Sequence, residues 1–281
     1  MTGLPEFSLL LPVYAGDRAD HLERAFVSSV HDQDLRPSEV VLVQDGPVGP
    51  ELEGRIARLS AESPVPVRHV KMERNVGLAV ALTAGLAACR HDVVARMDAD
   101  DISLPQRFAV QIPLIAQGHD LVGSGMYEFT EDDEGRETLG ATRNPPTSSA
   151  EIARYARFHD PFNHPTVVYT KAAVERAGGY APPGLMEDYW LFARMIADGA
   201  RTCNSSQWLV KYRVSSGAYK RRGGFALLGS ELHLQREFRR SGFTSRSQWL
   251  RNVAVRVGYR LIPQSVRRTI YRRFILRAGS E

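Results

Sequence analysis

Residues 75–101 read NVGLAVALTAGLAACRHDVVARMDADD, and their reading decides the fold. Asn75-Val76-Gly77 opens an Ala/Leu-rich segment that predicts a helix to about Ala88. Val93–Met97 then reads as a buried strand, because it is a short apolar run with turn signals on both sides. That strand delivers Asp98-Ala99-Asp100-Asp101 at its C-terminal end. Upstream the same alternation repeats. Phe7–Val13 predicts a first strand, ended by Pro12 and Tyr14-Ala15-Gly16. Leu22, Phe26 and Val30, at spacing four, predict a helix with Asp20 as N-cap. Glu39–Val43 predicts a second strand, broken by Gln44-Asp45-Gly46-Pro47. Leu52, Ile56 and Leu59 mark a second helix, and Val65–Val70 a third strand. The order β-α-β-α-β-α-β is the signature of a mostly parallel, doubly wound sheet. Ligands of such sheets bind outside the carboxyl ends of the strands. Tyr14, Asp45, Asn75 and Asp98–Asp101 all fall just past strand ends, so four polar loops on one edge predict a site.

The second half is less regular. A strand is expected at Asp120–Ser124, a charged turn at Glu131–Gly135 and a Pro/His loop at Phe158–Pro165. A strand at Thr166–Thr170, a short helix at Lys171–Ala177 and a stop at Gly178-Gly179 follow. Met186-Glu187-Asp188 begins another helix, and Trp208–Tyr212 a strand. From Gly224 the pattern is helical and basic, with Pro263 inside it. Across 281 residues, 43% are hydrophobic and 24% charged, which excludes collagen-like, disordered and disulfide-scaffold classes. Cys89 and Cys203 lie far apart, which fits a reducing compartment. The N-terminus lacks the features of a signal peptide. The longest nearly apolar run, Leu78–Cys89, falls short of the about 20 residues a membrane span needs. Residues 1–200 carry 18 Lys+Arg against 29 Asp+Glu, whereas residues 201–281 carry 18 against 3. A chain polarised in this way turns its basic end toward an anionic partner.

Several residue types point to chemistry. Three carboxylates in Asp98–Asp101 repel one another unless a cation or solvent screens them. Carboxylate oxygens suit Mg²⁺ or Mn²⁺, which also bridge substrate phosphates. The structural alternative is an acidic turn that caps the next helix through Asp101 or Ser103. Asp45 offers an acceptor to a ribose or base edge; its alternative is turn formation before Gly46. Arg74-Asn75-Val76-Gly77 offers helix N–H groups to an anion, with Asn75 as a simple cap beside that role. Glu187-Asp188 complements a helix dipole, or supplies a general base if it faces the same cleft as Asp100. His159 and His164, in HDPFNHP, suit hydrogen bonding in a rigid loop, with metal ligation as the alternative. Lys220-Arg221-Arg222-Gly223-Gly224 reads as a solvated loop or as a lid that clamps a diphosphate.

Taken together, LLLPVYAGD, VVLVQDGP, the stretch from Glu73 to Phe108, FNHPTVVY, AGGY, MEDYWLFARM and YKRRGG resemble the family 2 inverting glycosyltransferases of GT-A fold. The similarity is to the amylovoran-type subgroup that builds bacterial exopolysaccharide or O-antigen units. This resemblance implies an α/β GT-A domain over residues 1–223, with a nucleotide-binding half (1–103) and an acceptor-binding half (104–223). A basic amphipathic helical extension (224–281) would follow. It implies nucleotide-sugar contacts at Pro12, Tyr14, Asp45, Arg74, Asn75, Gly77, Asp98 and Ala99, a metal, Mn²⁺ or Mg²⁺, on Asp100, and Asp188 as catalytic base. His164, Glu187, Arg221 and Arg222 would lie near the diphosphate or acceptor. The implied reaction transfers a hexose, with UDP the favoured nucleotide, to a saccharide acceptor that is lipid-linked. Gln44-Asp45 departs from the family, many of whose members carry two acids there. The Q-x-x-R-W motif of processive synthases is absent, so a single addition is expected.

Val255, Val257, Tyr259, Leu261 and Ile262 interleave with Arg251, Arg256 and Arg260, and the pattern continues through Arg277. A basic amphipathic helix of this kind predicts an anionic membrane surface, on the inner face of the cell membrane. No nucleic-acid recognition motif accompanies the charge, and the resemblance is compatible with an oligomer. Three other classes fit the residues less well. A D-x-D phosphotransferase would carry its acids near the first strand. A nucleotidyltransferase would carry a glycine-rich loop after Pro12. A catalytically inactive sugar-nucleotide or lipid-binding scaffold would not need Asp98, Asp100 and Asp188 intact.

Overall fold

The computed structural model describes residues 3–132, 134–181, 186–214 and 225–261. Four parallel strands form its first half: β1 (Phe7–Tyr14), β2 (Glu39–Asp45), β3 (Val67–Lys71) and β4 (Val93–Arg96). Helices α1 (Ala19–Val30), α2 (Pro50–Glu62) and α3 (Leu78–Ala88) connect them. A two-residue strand β5 (Ile102–Ser103), α4 (Arg107–Ala116), a long hairpin of β6 (Leu121–Glu131) and β7 (Glu137–Arg143), and α5 (Ser149–Tyr155) follow. Then come β8 (Val168–Thr170), α6 (Lys171–Arg176), α7 (Glu187–Ala197), β9 (Thr202–Arg213), α8 (Phe225–Arg240) and α9 (Arg246–Leu261). The sheet runs in the order β3-β2-β1-β4-β8-β6-β9-β5, with β7 paired to β6. It is parallel from β3 to β4 and mixed beyond, because β8 runs antiparallel to both β4 and β6.

The central strands are buried on both faces, so they read as unbroken apolar runs. Side chains alternate between two layers. Leu9, Leu11 and Val13 of β1 pack with Leu22 and Phe26 of α1, Leu52 and Ile56 of α2, and Phe108 of α4. Leu10 of β1 and Val41 and Val43 of β2 pack with Leu82 and Leu86 of α3 and Phe192 of α7. Gly85 lets α3 approach the sheet, since a Cβ there would lie 2.4 Å from Leu10 Cδ1. A third cluster joins Tyr189 and Ala193 of α7 to Leu234 and Phe238 of α8. Asn252 of α9 donates to the Arg157 carbonyl (2.8 Å) and to Gln235 Oε1 (2.9 Å), which docks the last helix on the body.

Several local expectations are corrected. Arg18, not Asp20, is the N-cap of α1; Asp20 sits in the first turn and pairs with Arg18 at 2.6 Å. Gly77, not Asn75, caps α3, with φ +91° and no side-chain hydrogen bond. Gln106 is the N-cap of α4, so neither Asp101 nor Ser103 caps it. β6 spans 11 residues where Asp120–Ser124 was expected. Its glycines interrupt the apolar pattern because β9 needs their space: a Cβ on Gly123 would meet Asn204 Oδ1 at 2.1 Å, and one on Gly125 would meet Trp208 Cδ1 at 2.6 Å. β9 is likewise longer than Trp208–Tyr212. Among the described residues no helix is long and apolar enough to cross a membrane.

Candidate active site

A cleft of about 410 Å³ opens at the carboxyl ends of β1, β2 and β4. Pro12, Tyr14, Asp45 and Asn75 line one part of it. Gly77, Asp98, Ala99 and Asp100 line the rest, with Tyr212 of β9. Arg74 is exposed and outside the lining. Arg221 and Arg222 lie outside the described residues.

Asp45 ends β2 and is buried. Its carboxylate accepts the N–H groups of Val76 (2.7 Å) and Gly77 (3.0 Å), while its carbonyl accepts from Asn75 Nδ2 (3.2 Å). The carboxylate therefore complements the positive end of α3 from another strand. The neighbouring Gly46 has φ +86°, and a Cβ there would sit 2.4 Å from the Asn75 nitrogen. Tyr14, 42% exposed, also lines the cleft. Its ring lies over Gly16, where a Cβ would stand 2.5 Å from the ring.

Asp98, Asp100 and Asp101 each place a carboxylate oxygen within 4.8 Å of the others. Their environments differ. Asp98 is paired through both oxygens with Arg96, one contact being Nη1 to Oδ2 at 2.7 Å. Burial, with the Asp98 charge second, pushes the Asp100 carboxyl up to about 6. Asp101 is fully buried; its Oδ1 accepts the Arg213 N–H (2.8 Å) and its Oδ2 has no partner. Burial and the two neighbouring acids push its carboxyl well above the ordinary range. Arg213 also donates from Nε to the Asp100 carbonyl (2.8 Å) and pairs with Glu131, so β9 braces the acidic loop. An all-oxygen donor set, mutual repulsion and an unpartnered buried oxygen fit a hard divalent cation on Asp100 and Asp101.

A second acidic group heads α7. Asp188 keeps 24% of its side chain exposed. Its Oδ1 accepts the Tyr189 N–H at 2.7 Å. Burial raises its carboxyl, the Tyr189 hydrogen bond and the Arg96 charge oppose that, and the Asp98 charge adds to it. Burial and the Asp188 charge push Glu187 up to about 7. His164 Nδ1 stands 3.6 Å from Asp188, and Nε2 lies 3.2 Å from the Tyr180 hydroxyl. Burial, reinforced by the Arg96 charge, keeps this imidazole well below the ordinary histidine value and so neutral at pH 7. Asp160, in the same loop, is raised by burial and by Asp188. His159 is elsewhere, against Tyr155 with ring centroids 5.0 Å apart. Glu187, Asp188 and His164 do not line the cleft, yet Asp98 and Arg96 act on Asp188, so the two acidic groups share one electrostatic environment.

Sequence reasoning missed Arg96, Asp160 and Arg213. Arg96 ends an apolar strand and precedes Asp98 by two, a spacing that places both on one side of an extended chain. That was the available signal.

The mostly parallel sheet, with its acidic loop at the carboxyl edge, has the GT-A fold. Two solved structures share the fold. The mannosyltransferase PcManGT from Pyrobaculum calidifontis, in complex with GDP-Man and Mn²⁺, aligns over 100% of this chain and 77% of its own with TM-score 0.65 at 16% identity. S. aureus TarS 1–349 in complex with UDP-GlcNAc aligns over 90% and 71% with TM-score 0.63 at 15% identity. Residues 8–177 match the family described as Glycosyl transferase family 2. The amylovoran biosynthesis glycosyltransferase AmsE of Erwinia amylovora is 36% identical over 268 residues, 94% of this chain and 97% of that protein. The UDP-Gal:alpha-D-GlcNAc-diphosphoundecaprenol beta-1,3-galactosyltransferase of Escherichia coli is 34% identical over 277 residues, 97% and 98% respectively. The chain belongs to glycosyltransferase family 2.

Proposed function

We propose that this protein transfers one hexose from a nucleoside-diphosphate sugar, UDP-linked by preference, to a lipid-linked saccharide during bacterial surface-polysaccharide synthesis. The observation that carries the reading is geometric: Asp98, Asp100 and Asp101 gather their carboxylates beside a cleft at the carboxyl ends of the parallel strands, and the Asp98 charge also acts on Asp188. The near full-length similarity to AmsE and to the Escherichia coli galactosyltransferase supports the substrate class.

In this reading the nucleotide occupies the cleft beside Tyr14 and Asp45, with Asn75, Gly77 and Ala99 against it. Asp98 meets the ribose or diphosphate. Asp188 accepts the acceptor's hydroxyl proton. The oxygen bonds to the anomeric carbon from the face opposite the nucleotide. The bond from that carbon to the diphosphate oxygen breaks, its electron pair leaves with the nucleoside diphosphate, and configuration inverts. Burial raises the Asp188 carboxyl, the direction that makes its carboxylate a stronger base. Neutral His164 leaves that carboxylate uncompensated by a cation at 3.6 Å. A Mn²⁺ or Mg²⁺ held by Asp100 and Asp101 would supply charge neutralisation for the departing diphosphate. Residues 1–103 then serve the donor and residues 104–223 the acceptor. A groove of about 510 Å³ beside Arg154 and Tyr155 lies on that second half.

The exposed face of α9 carries Leu250 (60% exposed) and Val255 (58%) beside Arg251. Apolar side chains flanked by arginines suit an anionic lipid surface, where a lipid-linked acceptor resides. The deciding experiment incubates the protein and Mn²⁺ with N-acetylglucosaminyl-diphosphoundecaprenol and a panel of UDP-, GDP- and dTDP-sugars. One sugar added with inverted anomeric configuration, read by NMR, is expected. Retained configuration, or donor binding with no transfer to any lipid-linked saccharide, overturns the reading.

A further inference from the structure

Arg96, the last residue of β4, has a side chain only 1% exposed. A guanidinium buried to that degree needs fixed acceptors; its Nε has none, so the two Nη groups carry the pairing. Both Nη atoms meet the two oxygens of Asp98 as a fork. Such bidentate pairing sets orientation as well as charge. The backbone of Arg96 is held on both sides. Its N–H donates to the Val167 carbonyl at 2.9 Å, and its carbonyl accepts from Arg107 Nη2 at 2.6 Å. Arg107 is fully buried and anchored to Ser103 Oγ at 2.9 Å. The fork therefore projects from a rigid base, while Asp98 sits on the loop that turns into the cleft. Closed to solvent, Arg96 makes no direct contact with a ligand in the cleft; the side chain it holds there is Asp98.

We propose that Arg96 is a positioning residue: its fork fixes the Asp98 carboxylate in one orientation at the donor side of the cleft. This rests on the reading that the cleft binds the nucleotide sugar. A rival account gives Arg96 only a charge to compensate, for which any buried cation would serve.

Full-length Arg96→Lys, Arg96→Met, Asp98→Asn and the Arg96→Met/Asp98→Asn double variant separate the two. Lysine keeps the charge and loses the fork. Arg96→Lys should raise donor KM about tenfold or more and leave acceptor KM within about twofold. The double variant should bind donor no worse than the weaker single variant, because both changes remove one interaction. Wild-type donor KM in Arg96→Lys, multiplying losses in the double variant, or a fall in kcat alone with both KM values unchanged would overturn the proposal. A ¹⁵N NMR measurement on the protein without substrates adds a test that needs no turnover. The Arg96 Nη protons should resolve separately and exchange slowly in the wild type, and merge in Asp98→Asn; identical spectra would also overturn it. Absence of transfer by the wild type would instead count against the proposed function.

Discussion

Asp45 and Gly77 meet across 32 residues of sequence: the Gly77 N–H donates to Asp45 Oδ2 at 3.0 Å, with Val76 bound to the other oxygen. The end of β2 is thereby tied to the start of α3 by a side chain that also lines the cleft. Asp45→Ala should cost about 0.5–2 kcal/mol of stability, the usual range for losing a helix cap. Urea unfolding measures this, and Asp45→Asn, which keeps one acceptor, should lose less. A neutral result for Asp45→Ala would remove its structural role.

Asp188 is assigned the proton of the acceptor hydroxyl. Asp188→Asn keeps the shape and the Tyr189 N–H contact but cannot take a proton. Transfer should drop by at least about a hundredfold, as expected for loss of a general base. Donor affinity, measured by calorimetry, should stay near wild type. Turnover close to wild type in this variant would refute the assignment.

Asp100 and Asp101 are the residues placed to hold a cation. Asp100→Asn should weaken Mn²⁺ binding to the donor-free protein by more than about tenfold, since ligand substitutions cost at least as much as changes in the groups that support them. Paramagnetic resonance of free Mn²⁺ reads this directly. An unchanged titration would take Asp100 off the ligand list.

Glu187 gives a pH prediction. Burial, with the Asp188 charge second, lifts its carboxyl from 4.5 to about 7 in the folded chain. The folded state thus holds this proton more tightly than the unfolded one. Its contribution to stability is complete below pH 4.5 and disappears as pH rises through about 7. Wild-type Tm should therefore fall more between pH 5 and pH 8 than that of Glu187→Gln, which has no proton to lose. Parallel Tm curves for the two proteins would show that Glu187 does not titrate there.

Leu250 and Val255 project from α9 into solvent. Leu250→Ser/Val255→Ser should weaken binding to phosphatidylglycerol vesicles in a sedimentation assay, with Tm unchanged because neither side chain is buried. High salt should weaken the wild type as well. Equal sedimentation of both proteins would exclude this face as the membrane contact.

The parallel half of the sheet was readable because buried parallel strands are apolar along their whole length. β1, β2 and β4 fall where Phe7–Val13, Glu39–Val43 and Val93–Met97 predicted, within a residue or two. The mixed half was harder. Gly123 and Gly125 look like breakers, and only the side chains of β9 explain why β6 needs them. The stretch from Gly224 reads as helical in the sequence, but nothing there says that Phe238 is buried against Tyr189.

Chain order alone determined the sheet's winding and put Tyr14, Asp45, Asn75 and Asp98–Asp101 on a single edge, since each residue past a parallel strand must emerge at the same end. Tertiary structure decided how those acids differ. Arg96 claims Asp98, Arg213 claims one oxygen of Asp101, and Asp100 is left between them. It also decided that Asp45 braces α3 and that Asp188 shares a field with Asp98. Burial and the position of a counter-charge control those differences, and both depend on residues tens of positions away in the chain.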